Sequence, residues 1–116
     1  MGIKKIKSKD YLDYLGGKGC VVSGRRNPDI HHESVTRKYS GGLKKYFDFG
    51  AIPLDHELHL YGRHDLGKVE FWEKYDRDPV KIVIELIEEY IEQGREDAEL
   101  AINALEMVKK DNGYNT

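Results

Sequence analysis

The sequence predicts an α+β domain with little sheet. Its two strand-like stretches, Asp29–Val35 and Tyr46–Leu54, are short and separated by a polar loop. Its last third carries helical apolar spacing twice, from Pro79 to a stop at Gly94 and again over 96–110. At 116 residues there is chain for one domain with a modest core, and no boundary inside it is needed.

Taken in order, Met1 to Lys9 is a basic lead (Lys4, Lys5, Lys7, Lys9), read as flexible or as an arm. Ser8 can cap a short helix through Asp10–Leu15, which Gly16-Gly17 ends. Cys20-Val21-Val22-Ser23-Gly24 has the spacing of a knuckle turn, and Arg25–Pro28 is a further turn. Asp29–Val35 then reads as a strand with Ile30, His32 and Ser34 on one face and His31, Glu33 and Val35 on the other.

Thr36 to Lys45 is a polar loop. Tyr46–Leu54 gives the second strand, which Pro53 is expected to close. A helix starts near Asp55 and is not expected to run cleanly past Gly62. Gly67–Tyr75 carries Val69, Phe71, Trp72 and Tyr75 on another helix. Asp78 caps and Pro79 opens the first strong C-terminal helix, with Ile82, Val83, Leu86, Ile87, Tyr90 and Ile91 at helical spacing. Ala98, Ala101, Ala104, Leu105 and Val108 form the stripe of the second.

Composition excludes some classes. No apolar run approaches the roughly 18 residues of a membrane span, so no membrane partner is expected. The single cysteine, Cys20, has no internal partner, which fits a reducing, cytoplasmic setting. Charge is unevenly spread: residues 1–47 hold 11 Lys and Arg against 4 Asp and Glu, while 48–116 hold 8 against 17. A basic half suggests nucleic-acid contact, and mutual attraction of the two halves is the alternative.

All five histidines (His31, His32, His56, His59, His64) fall in one 34-residue window. Imidazole is the commonest metal ligand and the side chain best suited to moving a proton near neutral pH. Adjacent strand residues point to opposite faces, so His31 and His32 divide the labour: one for a metal, one for water. His56 and His59 are helical neighbours. His59 and His64, five apart, are about 140° out of phase on an ideal helix and need a break near Tyr61-Gly62 to meet.

Cys20-x-x-Ser23, His31-His32 on a strand, Asp48 ahead of Ile52-Pro53-Leu54, a histidine-bearing helix and Gly67-x-x-x-Phe71-x-x-x-Tyr75 together resemble the HNH nucleases of the ββα-metal class. The nearest resemblance is to small phage and prophage HNH-like proteins that include recombination-enhancement nucleases. It covers about residues 18–76, leaving 79–110 as an added helical hairpin.

The resemblance implies a metal-dependent endonuclease or nickase acting on DNA in a bacterial host cytoplasm. It makes His31, His59 and His64 the metal ligands, His32 the general base and Asp48 a support for the metal-site loops. Arg37, Lys38 and Arg63 are candidate phosphate contacts. The cofactor is a divalent ion, Mg²⁺ or Mn²⁺ first, with Zn²⁺ or Ni²⁺ as alternatives.

The departures are equally specific. Where relatives hold a structural zinc, this chain has Ser23, Asp55 and Leu58 beside Cys20, so no structural zinc is expected. A shifted register would offer Cys20, His56 and His59 instead, a poor set because serine is a weak fourth ligand for zinc. The competing functional class is a catalytically degenerate module of the same fold that binds nucleic acid or a protein. Its C-terminal helices could then serve as a homodimer or partner surface.

Overall fold

Residues 2–114 are described by a computed structural model. Ser8 opens α1 (Lys9–Gly16) by accepting the Tyr11 N–H on its side chain, and buried Tyr11 and Leu15 turn inward. The Tyr11 ring packs 4.6 Å from Phe49 and 4.9 Å from Tyr90, centroid to centroid. The basic lead is an arm that pairs with the chain: Ile6 N–H donates to Tyr46 C=O at 2.8 Å, and Asp48 N–H donates back to Ile6 C=O at 2.9 Å.

Two strands, β1 (Asp29–His32) and β2 (Ala51–Leu54), form an antiparallel hairpin with His31 opposite Ile52 and His32 opposite Ala51. Both are shorter than the sequence suggests. The loop between them coils into 3₁₀ turns over Gly41–Tyr46 and Asp48–Gly50, removing the first half of the expected second strand. Pro53 lies inside β2 instead of closing it. A two-stranded sheet tolerates it because the missing N–H faces no third strand, and its C=O accepts from Val21.

The next helix departs from expectation in an informative way. The chain stays helical from His56 through Gly62, but Leu58–Arg63 is a π-helix, followed by one α-turn, α2 (His64–Leu66). Gly62 therefore does not break the helix. It allows close packing: a Cβ there would lie 2.8 Å from the buried Phe71 ring. Phe71 and Trp72 come from α3 (Lys68–Lys74), entered through Gly67 at φ 84°.

The C-terminal pair is α4 (Pro79–Glu92), capped by Asp78, and α5 (Ala98–Asp111). They pack on each other, and each also contacts the Asp48–Gly50 turn. Val83, Leu86, Ile87 and Tyr90 of α4, with Ala101, Ala104 and Val108 of α5, are buried, so these apolar faces close the core. Glu85, Glu88, Glu89 and Glu92 line the exposed side. The result is an α+β globule with one small hairpin and a helical cover. No helix among the described residues is long and apolar enough to cross a membrane.

Candidate metal centre

The pleat of β1 puts Asp29, His31 and Glu33 on one side, and the π-helical segment packs against that side. One ring nitrogen each of His31, His59 and His64 lies within 4.8 Å of the others. The π-turn makes this possible. His64 N–H donates to His59 C=O, an i→i+5 bond, so the two residues stand one π-turn apart and share a face. Their Nε2 atoms are 3.3 Å apart. An α-helix would have separated them; one extra residue per turn brings them together.

Two of the three imidazoles are held by carboxylates on the ring nitrogen away from the cluster. His59 Nδ1 lies 3.1 Å from Asp29 Oδ2, an acceptor shared with His56 Nδ1 at 2.8 Å. Those two imidazole hydrogen bonds hold the Asp29 carboxyl below its usual range. With Nδ1–H donating to Asp29, the His59 lone pair sits on Nε2, facing His64. His31 Nε2 lies 3.1 Å from Glu33 Oε2, leaving Nδ1 free to ligate. Burial, the largest influence, lowers the His31 pKa and favours the neutral imidazole, against the opposing pull of Glu33.

Glu33 is the most heavily engaged group in the site. Its fully buried carboxylate accepts Arg63 Nε–H at 2.9 Å and Nη2–H at 2.8 Å, and Trp72 Nε1–H at 2.8 Å, besides His31. Burial alone would push this carboxyl up; the Arg63, His31 and Trp72 hydrogen bonds outweigh it and hold it well below the carboxylate range. Arg63, with its side chain 12% exposed, is thus a bidentate clamp on Glu33 and not a free cation poised for phosphate.

His32 lies on the other face of β1, where its Nε2 is 3.0 Å from Asp48 Oδ1. Asp48 is buried. It also accepts Ser8 N–H at 2.8 Å and faces Lys7 Nζ at 3.3 Å. Burial raises its pKa, but the His32, Ser8 and Lys7 interactions prevail and keep it low. With Nε2–H donating to Asp48, the His32 Nδ1 lone pair is free, on a side chain 21% exposed.

Arg37 and Lys38 stand elsewhere. Both line a groove along α5 with Glu106 and Asp111, and Arg37 N–H donates to Asp111.

The knuckle is closed by hydrogen bonds. Cys20 Sγ accepts the Val22 and Ser23 N–H groups at 3.4 Å. Ser23 Oγ–H donates to Asp55 Oδ2 at 2.6 Å, and Asp55 Oδ1 accepts Leu58 N–H at 2.8 Å at the start of the histidine helix. His56 and His59 turn to Asp29, away from the shifted register that pairs them with Cys20.

Sequence reasoning passed over Asp29 as a ligand support and Glu33 as the buried anchor. The signal was present: Asp29-x-His31-x-Glu33 is a period-two run of polar groups on the strand face that turns inward.

Three imidazoles graded from buried (His31) to exposed (His64), two of them with carboxylate partners, fit a divalent ion. The chain matches no protein-family model, no curated protein and no solved structure.

Proposed function

We propose that this chain is a metal-dependent phosphodiesterase acting on DNA, an endonuclease or nickase built on a ββα-metal core over residues 18–76. The observation that carries the reading is the pairing of two units on adjacent residues of one strand. His31 belongs to a three-imidazole cluster, and His32 belongs to an imidazole–carboxylate dyad with Asp48.

His31, His59 and His64 would hold the ion, whose positive charge stabilises the phosphoryl and leaving oxygens during hydrolysis. The cluster offers nitrogen only. That favours Zn²⁺ or Ni²⁺ over Mg²⁺ and Mn²⁺, which prefer oxygen donors. Asp29 and Glu33 fix the His59 and His31 tautomers, and Arg63 and Trp72 keep Glu33 in place.

His32 acts as general base. Asp48 holds its Nε2–H, and Nδ1 takes a proton from the water that attacks phosphorus. The phosphorus–3′-oxygen bond breaks and the departing 3′-oxygen takes a proton from solvent, leaving a 5′-phosphate and a 3′-hydroxyl, while His32 returns its proton to solvent. The hydrogen-bonded Ser23–Asp55 closure ties the knuckle to the histidine helix, a job that zinc does in the proteins it resembles.

Relaxation of supercoiled plasmid across a series of divalent ions tests the reading. Cleavage that needs an ion and falls about 10²–10⁴-fold in His32→Ala supports general-base catalysis. Purified, folded protein that cuts no DNA form with any ion refutes the enzyme reading and leaves the non-catalytic binding module.

A further inference from the structure

The basic arm is built into the fold beside the His32 dyad, and of the lysines it gathers only Lys7 has an acidic partner, Asp48. Pairing of Ile6 with Phe47 brings Lys5 and Lys7 against Lys45, some 40 residues away in sequence, with Lys44 next to it in the chain. Lys5 Nζ stands 5.2 Å from the Tyr46 ring centroid and Lys45 Nζ stands 5.3 Å from the same centroid. Lys7 Nζ donates to Lys45 C=O at 3.0 Å and reaches Asp48, the partner of His32.

Three lysines elsewhere on the surface hold carboxylates. Lys9 pairs with Asp13, Lys18 with Glu89 and Lys109 with Glu88. Among the described residues, no carboxylate lies within 4.0 Å of the Lys5, Lys44 or Lys45 ammonium groups. Holding like charges together without a counter-charge is unfavourable in the free protein and becomes favourable when an anion covers them. The Tyr46 ring, within cation–π distance of two of these cations, fixes where they stand.

We infer that Lys5 and Lys45 at Tyr46, with Lys7 on Lys45 and Lys44 next in the chain, form the docking surface for the phosphate backbone of duplex DNA next to His32. This rests on the phosphodiesterase reading for its choice of DNA. It moves the nucleic-acid contact from Arg37, Lys38 and Arg63 to the arm.

The test is binding of a fluorescein-labelled 20-base-pair duplex in EDTA, followed by anisotropy over a range of salt. Two triple variants of equal net charge are compared with the unaltered chain: Lys5→Glu/Lys44→Glu/Lys45→Glu at the patch, and Lys9→Glu/Lys18→Glu/Lys109→Glu at paired lysines. Thermal melting confirms that each is folded. The patch variant is expected to lose at least about 10-fold in affinity and to flatten the salt dependence by roughly two to three in slope, about 0.9 per lost contact. The paired-lysine variant is expected to stay close to the unaltered chain.

Equal loss in both variants, or none at the patch, overturns the assignment. So does polyglutamate or single-stranded RNA displacing the duplex at lower concentration than unlabelled duplex does. Hydrolysis of thymidine 5′-p-nitrophenyl phosphate, too small to span the patch, separates this from the reading beneath it. The patch variant should keep that activity while losing plasmid cleavage. If the unaltered chain fails to hydrolyse the small diester and to cut plasmid whichever ion is supplied, the phosphodiesterase reading fails, and the EDTA binding still decides the patch.

Discussion

Glu33 shows how one residue can serve both stability and site geometry. Its carboxylate is buried and receives hydrogen bonds from three side chains, so removing it strands the Arg63 guanidinium in a nearly closed environment. Glu33→Ala should cost about 3–5 kcal/mol, the range for breaking a buried pair by removing one partner, measured from denaturant midpoints. At Asp29, where Asp29→Asn keeps the shape, the expected effect is a metal affinity weaker by about 10–100-fold with little change in melting temperature. Calorimetric titration with Zn²⁺ reads it. Asp48→Asn should lower cleavage far more than it lowers metal affinity, because it disturbs the His32 tautomer and leaves the cluster alone.

Much of this scale was legible beforehand. His31, His59 and His64 were singled out as a trio, and the fold brings their nitrogens together. Arg63 was not legible, since sequence gives a cation no partner until the fold supplies one. Glu33, two residues along the same strand face as His31, supplied it.

The histidine helix is where element-level reasoning fell short. A five-residue spacing is out of phase on an α-helix, and a break at glycine was the natural remedy. The chain instead widens one turn, which keeps the backbone hydrogen-bonded while realigning His59 with His64. Nothing in a hydrophobic period announces a π-turn, because the apolar anchors Leu58 and Phe71 constrain only its ends.

Gly62 is the position most sensitive to this arrangement. Gly62→Ala pushes a methyl into the Phe71 ring and should destabilise by about 1–3 kcal/mol, as overpacking of a filled core does. It should also weaken Zn²⁺ binding. Melting and titration of the same preparation report both. At the knuckle, the Ser23–Asp55 hydrogen bond is a product of folding that the spacing of these residues does not announce.

For the whole molecule, the C-terminal pair explains how so little sheet is stable. Tyr90 packs on Tyr11, and its hydroxyl hydrogen-bonds to Asp10 at 2.5 Å and to Asp97, joining α4 to α1 and to the start of α5. A chain cut after residue 78 should therefore fail to fold cooperatively, seen as loss of a sigmoidal melt. The helical spacing of 79–110 made this cover readable from the sequence, whereas the long β2 did not survive because its first half coils around buried Phe47 and Phe49.

Acid stability follows from the site. The folded pKa values of Glu33 and Asp48 lie below their unfolded ones, so their stabilisation is complete above about pH 4.3 and is lost as pH falls through the folded values. The lowered His31 pKa adds a loss that begins below about pH 6.5 in chelator-treated protein. Melting temperature should therefore drop in two stages on acidification, and Asp48→Asn should shrink the lower one.

The central claim is a three-histidine metal centre beside a separate histidine–carboxylate base. Anomalous diffraction from crystals soaked with Mn²⁺ or Zn²⁺ tests it most directly. One strong peak bonded to His31, His59 and His64 is expected, with His32 still on Asp48 and His56 still on Asp29. A peak bonded to His32, a peak at Cys20 and His56, or no peak at the trio would contradict it.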